Sequence, residues 1–355
     1  MDNIYFRVKN ILNKLRIIIN QFRWVKENQQ KYRHLNLIPL TKAEKKNLKK
    51  KWGKVNLRWC WNDFALYKSI GINDDNIIPV SIYSTLVIPA FNPLNDRKCL
   101  ANKAMLFYLK NVRQPEFIIR SVNGIIFDKK NQILSKEDAI KVLEGYDETL
   151  VFKRAVETSG GTGVTIVSPR NIELSKLLDH LGDTFIIQKK IKQSDYLNSL
   201  NNTSLNTLRC TTLLLEDGPH LVSAQLKISK AGATLDNAAY GSAFVGINED
   251  GSLKEYGYVK GLKRVEEQNG IKFKGLKIPN WEAVREFVEE NALKLASCRI
   301  IGWDIAIDEN DQPLLIEANL NCPGITIEQA CSGAIFGKYT DRVIQTVLKN
   351  SNAGS

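Results

Sequence analysis

The sequence predicts an α/β (α+β) chain, with sheets that follow a helical N-terminal extension, and three observations carry that expectation. Gly302-Trp303-Asp304-Ile305-Ala306 and Leu315-Ile316-Glu317-Ala318-Asn319 alternate in polarity around the turn cluster Asp308-Glu309-Asn310-Asp311-Gln312-Pro313, as two paired core strands do. Leu150-Val151-Phe152-Lys153 and Val164-Thr165-Ile166-Val167 are short β-rich runs on either side of the glycine-rich Thr158-Ser159-Gly160-Gly161-Thr162-Gly163. Ile4, Val8, Ile11, Leu15, Ile18, Phe22 and Val25 recur every three or four residues, one helical stripe. A chain of 355 residues with 43% apolar and 25% charged residues has material for two or three lobes around an ordinary globular core.

The N-terminal stripe sits in strongly basic sequence. Residues 1–54 hold 15 Lys and Arg against 3 Asp and Glu; taken from totals of 50 and 38, this leaves 35 of each and a neutral remainder. The longest apolar run there, Ile17-Ile18-Ile19, is far short of a signal sequence or a membrane span. A second, Lys-rich helix opens at Leu40-Thr41-Lys42 and runs to about Lys54. Two readings stay open for the stripe: docking on the main body or another subunit, or lying on an anionic membrane surface through residues 1–35. Nucleic acid is not expected, because the basic residues alternate with aliphatics and lack an aromatic platform.

Further along, Ile77-Ile78-Pro79-Val80-Ser81-Ile82-Tyr83 is strand-like, and residues 117–134 suggest a hairpin around Asp128-Lys129-Lys130-Asn131. Ser135-Lys136-Glu137-Asp138 starts a helix with an N-cap, and Trp281 to Ala296 is a helix with Val284, Phe287, Val288 and Leu295 inward. Residues from Asn350 on form a tail. Six cysteines show no C-x-x-C spacing, which suits reduced thiols in a cytosol, and Cys322 reads as a cleft-wall thiol. Three scattered histidines make a zinc site or a histidine-based triad an unlikely element of this chain.

The chemistry is carried by oxygen ligands and cations. In a strand, residues i and i+2 share a face, so Glu317 and Asn319 point the same way, and a paired neighbour brings Asp304 to them. Two carboxylates and an amide oxygen suit magnesium that also touches a phosphate. The glycine-rich loop can close its backbone N–H groups over phosphates, with Lys153 as a point charge at the end of the incoming strand. It is neither a P-loop, for no Gly-Lys-Ser/Thr ends it, nor a dinucleotide fingerprint, for a strand follows. Phe185-Ile186-Ile187-Gln188-Lys189-Lys190-Ile191 is a strand that ends in polar residues, a linker able to meet adenine through backbone groups. In Ser204-Leu205-Asn206-Thr207-Leu208-Arg209-Cys210-Thr211-Thr212-Leu213, Thr207, Arg209 and Thr211 share a face, and an arginine facing a cleft can clamp a phosphoryl group.

The order of these parts resembles the ATP-grasp superfamily, and more narrowly its sugar-transfer-associated family, related to α-L-glutamate ligases. The resemblance covers about residues 95 to 345 and rests on Ala101-Asn102-Lys103-Ala104, Lys153 before the glycine loop, Asn206-Thr207-Leu208-Arg209, Leu235-Asp236-Asn237, Gly302-Trp303-Asp304 and Glu317-Ala318-Asn319. It implies two lobes with ATP between them: an extension over 1–60, a pre-ATP lobe over 61–150, a small lobe over 151–190, a large lobe over 191–345 and a tail over 346–355. It also implies that Lys103 and Lys153 contact ATP phosphates under the loop Ser159, Gly160, Gly161, Thr162 and Gly163. Gln188, Lys189 and Ile191 would bind adenine and Asp195 the ribose. Asp304, Glu317 and Asn319 would hold Mg2+ or Mn2+, with Arg209, Asn237 and Lys227 catalytic. Two positions depart from the family pattern: Gln188 stands where many members carry Glu, and Ser242 where a second glycine is usual. The implied activity is carboxylate–amine ligation through an acyl phosphate in cell-surface polysaccharide biosynthesis, at the cytoplasmic side, with a small-molecule or glycan acceptor. A kinase of a glycan or small alcohol, or a non-catalytic nucleotide-binding scaffold, are the alternatives.

Overall fold

The structure is a computed structural model that describes residues 2–53, 55, 57, 60–155, 163–233 and 241–353; of residues 2–11, 13, 14 and 351–353 it describes the backbone alone. Helix α1 (Asp2–Lys31) is 30 residues long, about 45 Å at 1.5 Å per residue. Its later turns dock: Gln21, Val25 and the following Tyr32 are buried, and Asn28 Nδ2 donates to Asp63 Oδ1 at 3.0 Å. Helix α2 (Lys42–Trp52) opens with a complete capping box, in which Thr41 accepts from the Glu44 N–H while the Glu44 carboxylate accepts from the Thr41 N–H. Helix α3 (Trp61–Ser69) follows. The strand expected over 77–83 is instead helical: α4 (Val80–Ile82) and α5 (Ile88–Phe91) are joined by a π-helical turn, and α6 (Leu94–Leu100) comes next. Pro79 starts this run, where a helix needs no N–H donor. Because Ile77, Ile78, Ile82 and Tyr83 are all fully buried, no solvent face existed to give the segment a legible period.

The N-terminal segment is not a separate unit. Leu48 and Trp52 share one core with Phe64, Ile82 and Phe91, and also with Leu213, Ile300, Phe336 and Val343 from the far end of the chain.

The first sheet contains β1 (Phe117–Val122), β2 (Ile125–Asp128), β3 (Ile133–Leu134), β4 (Leu150–Arg154), β5 (Val164–Val167) and β6 (Phe185–Lys189) in the order β3-β2-β1-β6-β4-β5. Strands expected to fall outside a small lobe beginning at 151 therefore make up half of its sheet, through antiparallel pairing of β1 with β6. Helices α7 (Lys136–Glu144) and α8 (Leu174–Leu181) cover one face with Leu143, Leu177 and Leu181 against Ile119, Phe152 and Ile187. Ser135 caps α7 by accepting from the Asp138 N–H at 3.0 Å.

Helix α9 (Asp195–Leu200) precedes the second sheet. That sheet has β7 (Leu208–Leu215), β8 (Gly218–Ile228), β9 (Ala243–Ile247), β10 (Leu253–Val259) and β11 (Lys263–Val265). A small hairpin, β12 (Glu267–Gln268) and β13 (Ile271–Lys272), stands beside it. After α10 (Trp281–Lys294), strands β14 (Ile300–Ile307) and β15 (Pro313–Asn319) complete the order β11-β10-β9-β8-β7-β14-β15. All eight residues of β14 are buried, since it lies between two strands, and Trp303 Nε1 satisfies itself on Thr212 Oγ1 at 2.8 Å. Helices α11 (Thr326–Ser332) and α12 (Thr340–Ala353) end the fold. The expected tail over 346–355 begins inside α12, where Val347 is buried. No helix among the described residues is long and apolar enough to cross a membrane.

Asp63, the anchor for α1, is buried, and burial pushes its carboxyl from an ordinary 3.8 up to about 6 against the hydrogen bonds of Asn28 and Ser81. A carboxyl raised in the folded state favours folding below its unfolded value, and that contribution is lost as pH rises through about 6, a change of about 3 kcal/mol. Asp63→Asn should therefore flatten the dependence of melting temperature on pH between about 4 and 7 relative to wild type; parallel curves would exclude Asp63 as the titrating group.

Candidate active site

Cross-strand register builds the floor of the site. Arg209 on β7 lies opposite Asp304 on β14, which lies opposite Glu317 on β15, and Gly302 lies opposite Asn319. Because alternate residues share a face, this row brings the expected carboxylates and amide together. Asp304 is 9% exposed and has four donors. Arg209 grips it with both ends of its fork, Nε to Oδ1 at 2.9 Å and Nη2 to Oδ2 at 3.1 Å. Lys227 Nζ, from β8, reaches Oδ1 at 2.6 Å, and Asn319 Nδ2 reaches Oδ2 at 3.0 Å. Burial alone would raise the Asp304 carboxyl, but the charges and hydrogen bonds of Arg209 and Lys227 prevail and hold it well below the usual carboxylate range.

Backbone and small residues keep this floor in place. A Cβ on Gly302 would come within 2.8 Å of Pro323 and 3.4 Å of Arg209 Nη1, so glycine lets the segment after β15 lie over the sheet beside the arginine. Asn92, fully buried, accepts from the Ile300 N–H and donates to the carbonyls of Ile300 and Leu320. It thereby ties that segment to β14.

Lys103 joins the two sheets. Asn102 caps the 3-10 helix Lys103–Tyr108 by accepting from the Ala104 N–H. The Lys103 N–H donates to the carbonyl of Ala155, just past β4, at 3.0 Å. Its side chain crosses to the large sheet and pairs with Glu317 at 3.0 Å. On β4 itself Lys153 is buried and donates to Gln188 Oε1 at 3.0 Å, while Gln188 Nε2 donates to the Pro115 carbonyl at 3.4 Å. This contact gives Lys153 an oxygen without a negative charge.

The other expected residues stand as follows. Ser159, Gly160, Gly161, Thr162 and Asn237 lie outside the described residues. Gly163 has φ +76°, and a Cβ there would meet the Arg154 side chain at 2.9 Å, so the loop must leave on glycine. Lys189 donates its N–H to the Glu116 carbonyl and pairs its side chain with Glu116 and Glu148 on the outer part of the small sheet. Ile191 is half-buried. Asp195 opens α9 and lines an open cavity of about 510 Å³ with Asn198, Asn202 and Asn269, which none of the Asp304 cluster lines. Cys322 donates to Ser84 Oγ at 3.5 Å.

Sequence reasoning missed Glu328. It is 4% exposed on α11, with Oε1 3.8 Å from Arg209 Nη1. Burial pushes its carboxyl up against the pull of Arg209. The motif around it, Thr326-Ile327-Glu328, offered no signal, because the helix that carries it reaches the site only through the packing of α11 on β8 and β9.

Three cations (Lys103, Arg209, Lys227) thus face three carboxylates (Asp304, Glu317, Glu328). Asp304, Glu317 and Asn319 carry oxygen ligands of the kind that fits a hard divalent cation, while Asn319 turns its Nδ2 to Asp304, whose two oxygens accept from Arg209; among the described residues no group of three or more His, Cys, Asp or Glu forms a metal cluster.

Removing one member of a buried pair strands the other charge, at about 3–5 kcal/mol. Asp304→Ala, which strands Arg209 and Lys227 together, should lower unfolding free energy in urea by that amount. Glu317→Ala should cost distinctly less, because the Glu317 side chain is 29% exposed and water can solvate what remains; equal losses would refute this ranking. Gly302→Ala should cost about 1–3 kcal/mol by overpacking against Pro323, measured in the same titration.

A search of curated proteins finds no match in sequence. Among solved structures, the ATP-grasp ligase PsnB, complexed with a phosphomimetic variant of its minimal precursor, Mg and ADP, is 11% identical over 75% of this chain and 61% of its own, with a TM-score of 0.41. D-alanyl-alanine synthetase A from Vibrio cholerae is 12% identical over 71% of this chain and 65% of its own, with a TM-score of 0.43. D-alanine–D-alanine ligase from Bacillus anthracis is 15% identical over 72% of this chain and 68% of its own, with a TM-score of 0.37. The chain thus spans less than two thirds of the length of the first two. The model of the sugar-transfer associated ATP-grasp family matches residues 84–343, and the chain belongs to that family.

Proposed function

We propose that the chain is an ATP- and magnesium-dependent ligase that joins a carboxylate to an amine. One oxygen of the acceptor carboxylate attacks the terminal phosphorus of ATP, the bond to ADP breaks, and an acyl phosphate forms. The amine nitrogen then attacks the carbonyl carbon, phosphate leaves, and the nitrogen gives up a proton to water. The observation that carries this reading is the cation cluster at the junction of the two sheets: Lys103 bridges from the small sheet to Glu317, and Arg209 and Lys227 converge on Asp304. Preorganised cations aimed at phosphate oxygens are the main lever a protein has on phosphoryl transfer.

In this reading Lys103 and Lys153 bind ATP phosphates, with Ser159 to Gly163 as their cover. Gln188, Lys189 and Ile191 border adenine and Asp195 meets the ribose. Arg209, Lys227 and Asn237 stabilise the charge of the transferring group. Asp304, Glu317 and Asn319 hold magnesium, which when bound neutralises phosphate charge. The acceptor pair is an amino acid and a sugar-derived acid or amine of a cell-surface polysaccharide, made at the cytoplasmic face.

The test is incubation of the protein with MgATP and a panel of amino acids and uronic acids, following ADP, free phosphate and product mass. Equal ADP and phosphate with a product one water lighter than its two precursors is expected. Phosphate retained on an alcohol without free phosphate would replace the ligase by a kinase. Glu317→Ala should abolish turnover and keep the fold, and wild-type turnover in it would end the metal assignment. Lys153→Ala should raise KM for ATP and lower kcat, with about 1–3 kcal/mol of stability lost as the buried Gln188 oxygen loses its donor.

A further inference from the structure

Helix α1 presents two adjacent faces with different company. At 3.6 residues per turn, Gln21, Val25 and Asn28 fall on one line, and this line is docked: Gln21 and Val25 are buried and Asn28 is bonded to Asp63. Leu12, Leu15, Ile18 and Ile19 fall within about 120° of arc beside it, and they are 60%, 50%, 50% and 66% exposed. Arg16, Arg23 and Lys26, all exposed, stand among or beside these aliphatics. Among the described side chains of the stripe, it is one of the later turns, Val25, that is buried, where α1 meets α3, α4 and the π-helical turn.

From this we infer that the exposed face of α1 is an interfacial surface that seats the protein on an anionic lipid bilayer. Charge complementarity decides the occupant. The whole formal excess of +12 lies in residues 1–54, and α2 adds exposed Lys42, Lys46, Lys49 and Lys50 to the same segment. Aliphatics flanked by long basic side chains match a headgroup layer, where the aliphatic face enters the acyl boundary and the arginines reach back to phosphate. A second copy of this chain on that face would bring two basic segments together and lose free energy to like-charge repulsion. A nucleic acid would leave the aliphatics in water, and Phe22, 54% exposed among them, is not by itself a platform on which successive bases stack.

The inference does not rest on the ligase reading, and its test uses full-length protein and no turnover assay. Protein is sedimented with vesicles of phosphatidylcholine alone and of phosphatidylcholine with about one third phosphatidylserine, at low and physiological salt. Wild type is expected to sediment with the anionic vesicles only, and less as salt rises. The variant Leu15→Ser/Ile18→Ser/Ile19→Ser and the variant Arg16→Glu/Lys26→Glu should each bind at least about tenfold more weakly, with unchanged melting temperatures because the altered side chains are in solvent. Absence of wild-type binding to anionic vesicles would overturn the inference. So would undiminished binding by the serine variant, or a wild-type dimer that the serine variant converts to monomer without any vesicle binding.

Discussion

The buried carboxylate of Asp304 and the two cations that hold it are the constraint around which the large sheet is arranged. A charge buried on an inner strand of the seven-stranded sheet is tolerable only with partners of opposite sign in good geometry. Arg209 supplies a bidentate fork from the neighbouring strand, and Lys227 adds a third contact from the strand beyond. Their positions fix the register of β7, β8, β14 and β15, since a slip of one residue would turn Arg209 or Asp304 into the apolar layer occupied by Cys210 and Trp303. The same constraint reaches outside the sheet. Gly302 leaves room for Arg209 and Pro323, and Asn92 binds the segment that follows β15, so Asn92, just past α5, helps to shape a candidate site whose carboxylates lie more than two hundred residues later.

Much of this was legible. The paired strands at 302–306 and 315–319, the caps at Thr41 and Ser135 and the helix from Trp281 depend on local pattern, which the sequence displays directly. Alternation and pairing bring Asp304 to Glu317 and Asn319, whereas the place of Arg209 opposite Asp304 depends on the pairing of β7 with β14. What was not legible depends on contacts between distant segments. The pairing of β1 with β6 crosses sixty residues, so the small sheet was read as beginning only at 151. Residues 77–83 are buried apart from a half-buried Val80, which erases the period that separates helix from strand. Glu328 approaches Arg209 through helix packing. The stripe on α1 looked single because its two faces are adjacent on the wheel, and only the position of Asp63 separates the docked line from the exposed one.

On the ligase reading, the pairing of Lys103 with Glu317 gains a further meaning. Lys103 is held at its backbone by Ala155 while its side chain pairs with Glu317, so a turn of that side chain toward an anion would leave its backbone bond to the small sheet in place. If it turned toward phosphate, Glu317 would lose its cation and be open to a divalent one. Gln188 suits the same economy: beside Lys153 an acid would have cancelled the charge, whereas the amide orients the ammonium and leaves its field for a polyanion. On that reading the departure from the family pattern at position 188 gives Lys153 a neutral hydrogen-bond partner on its own sheet in place of a second charge.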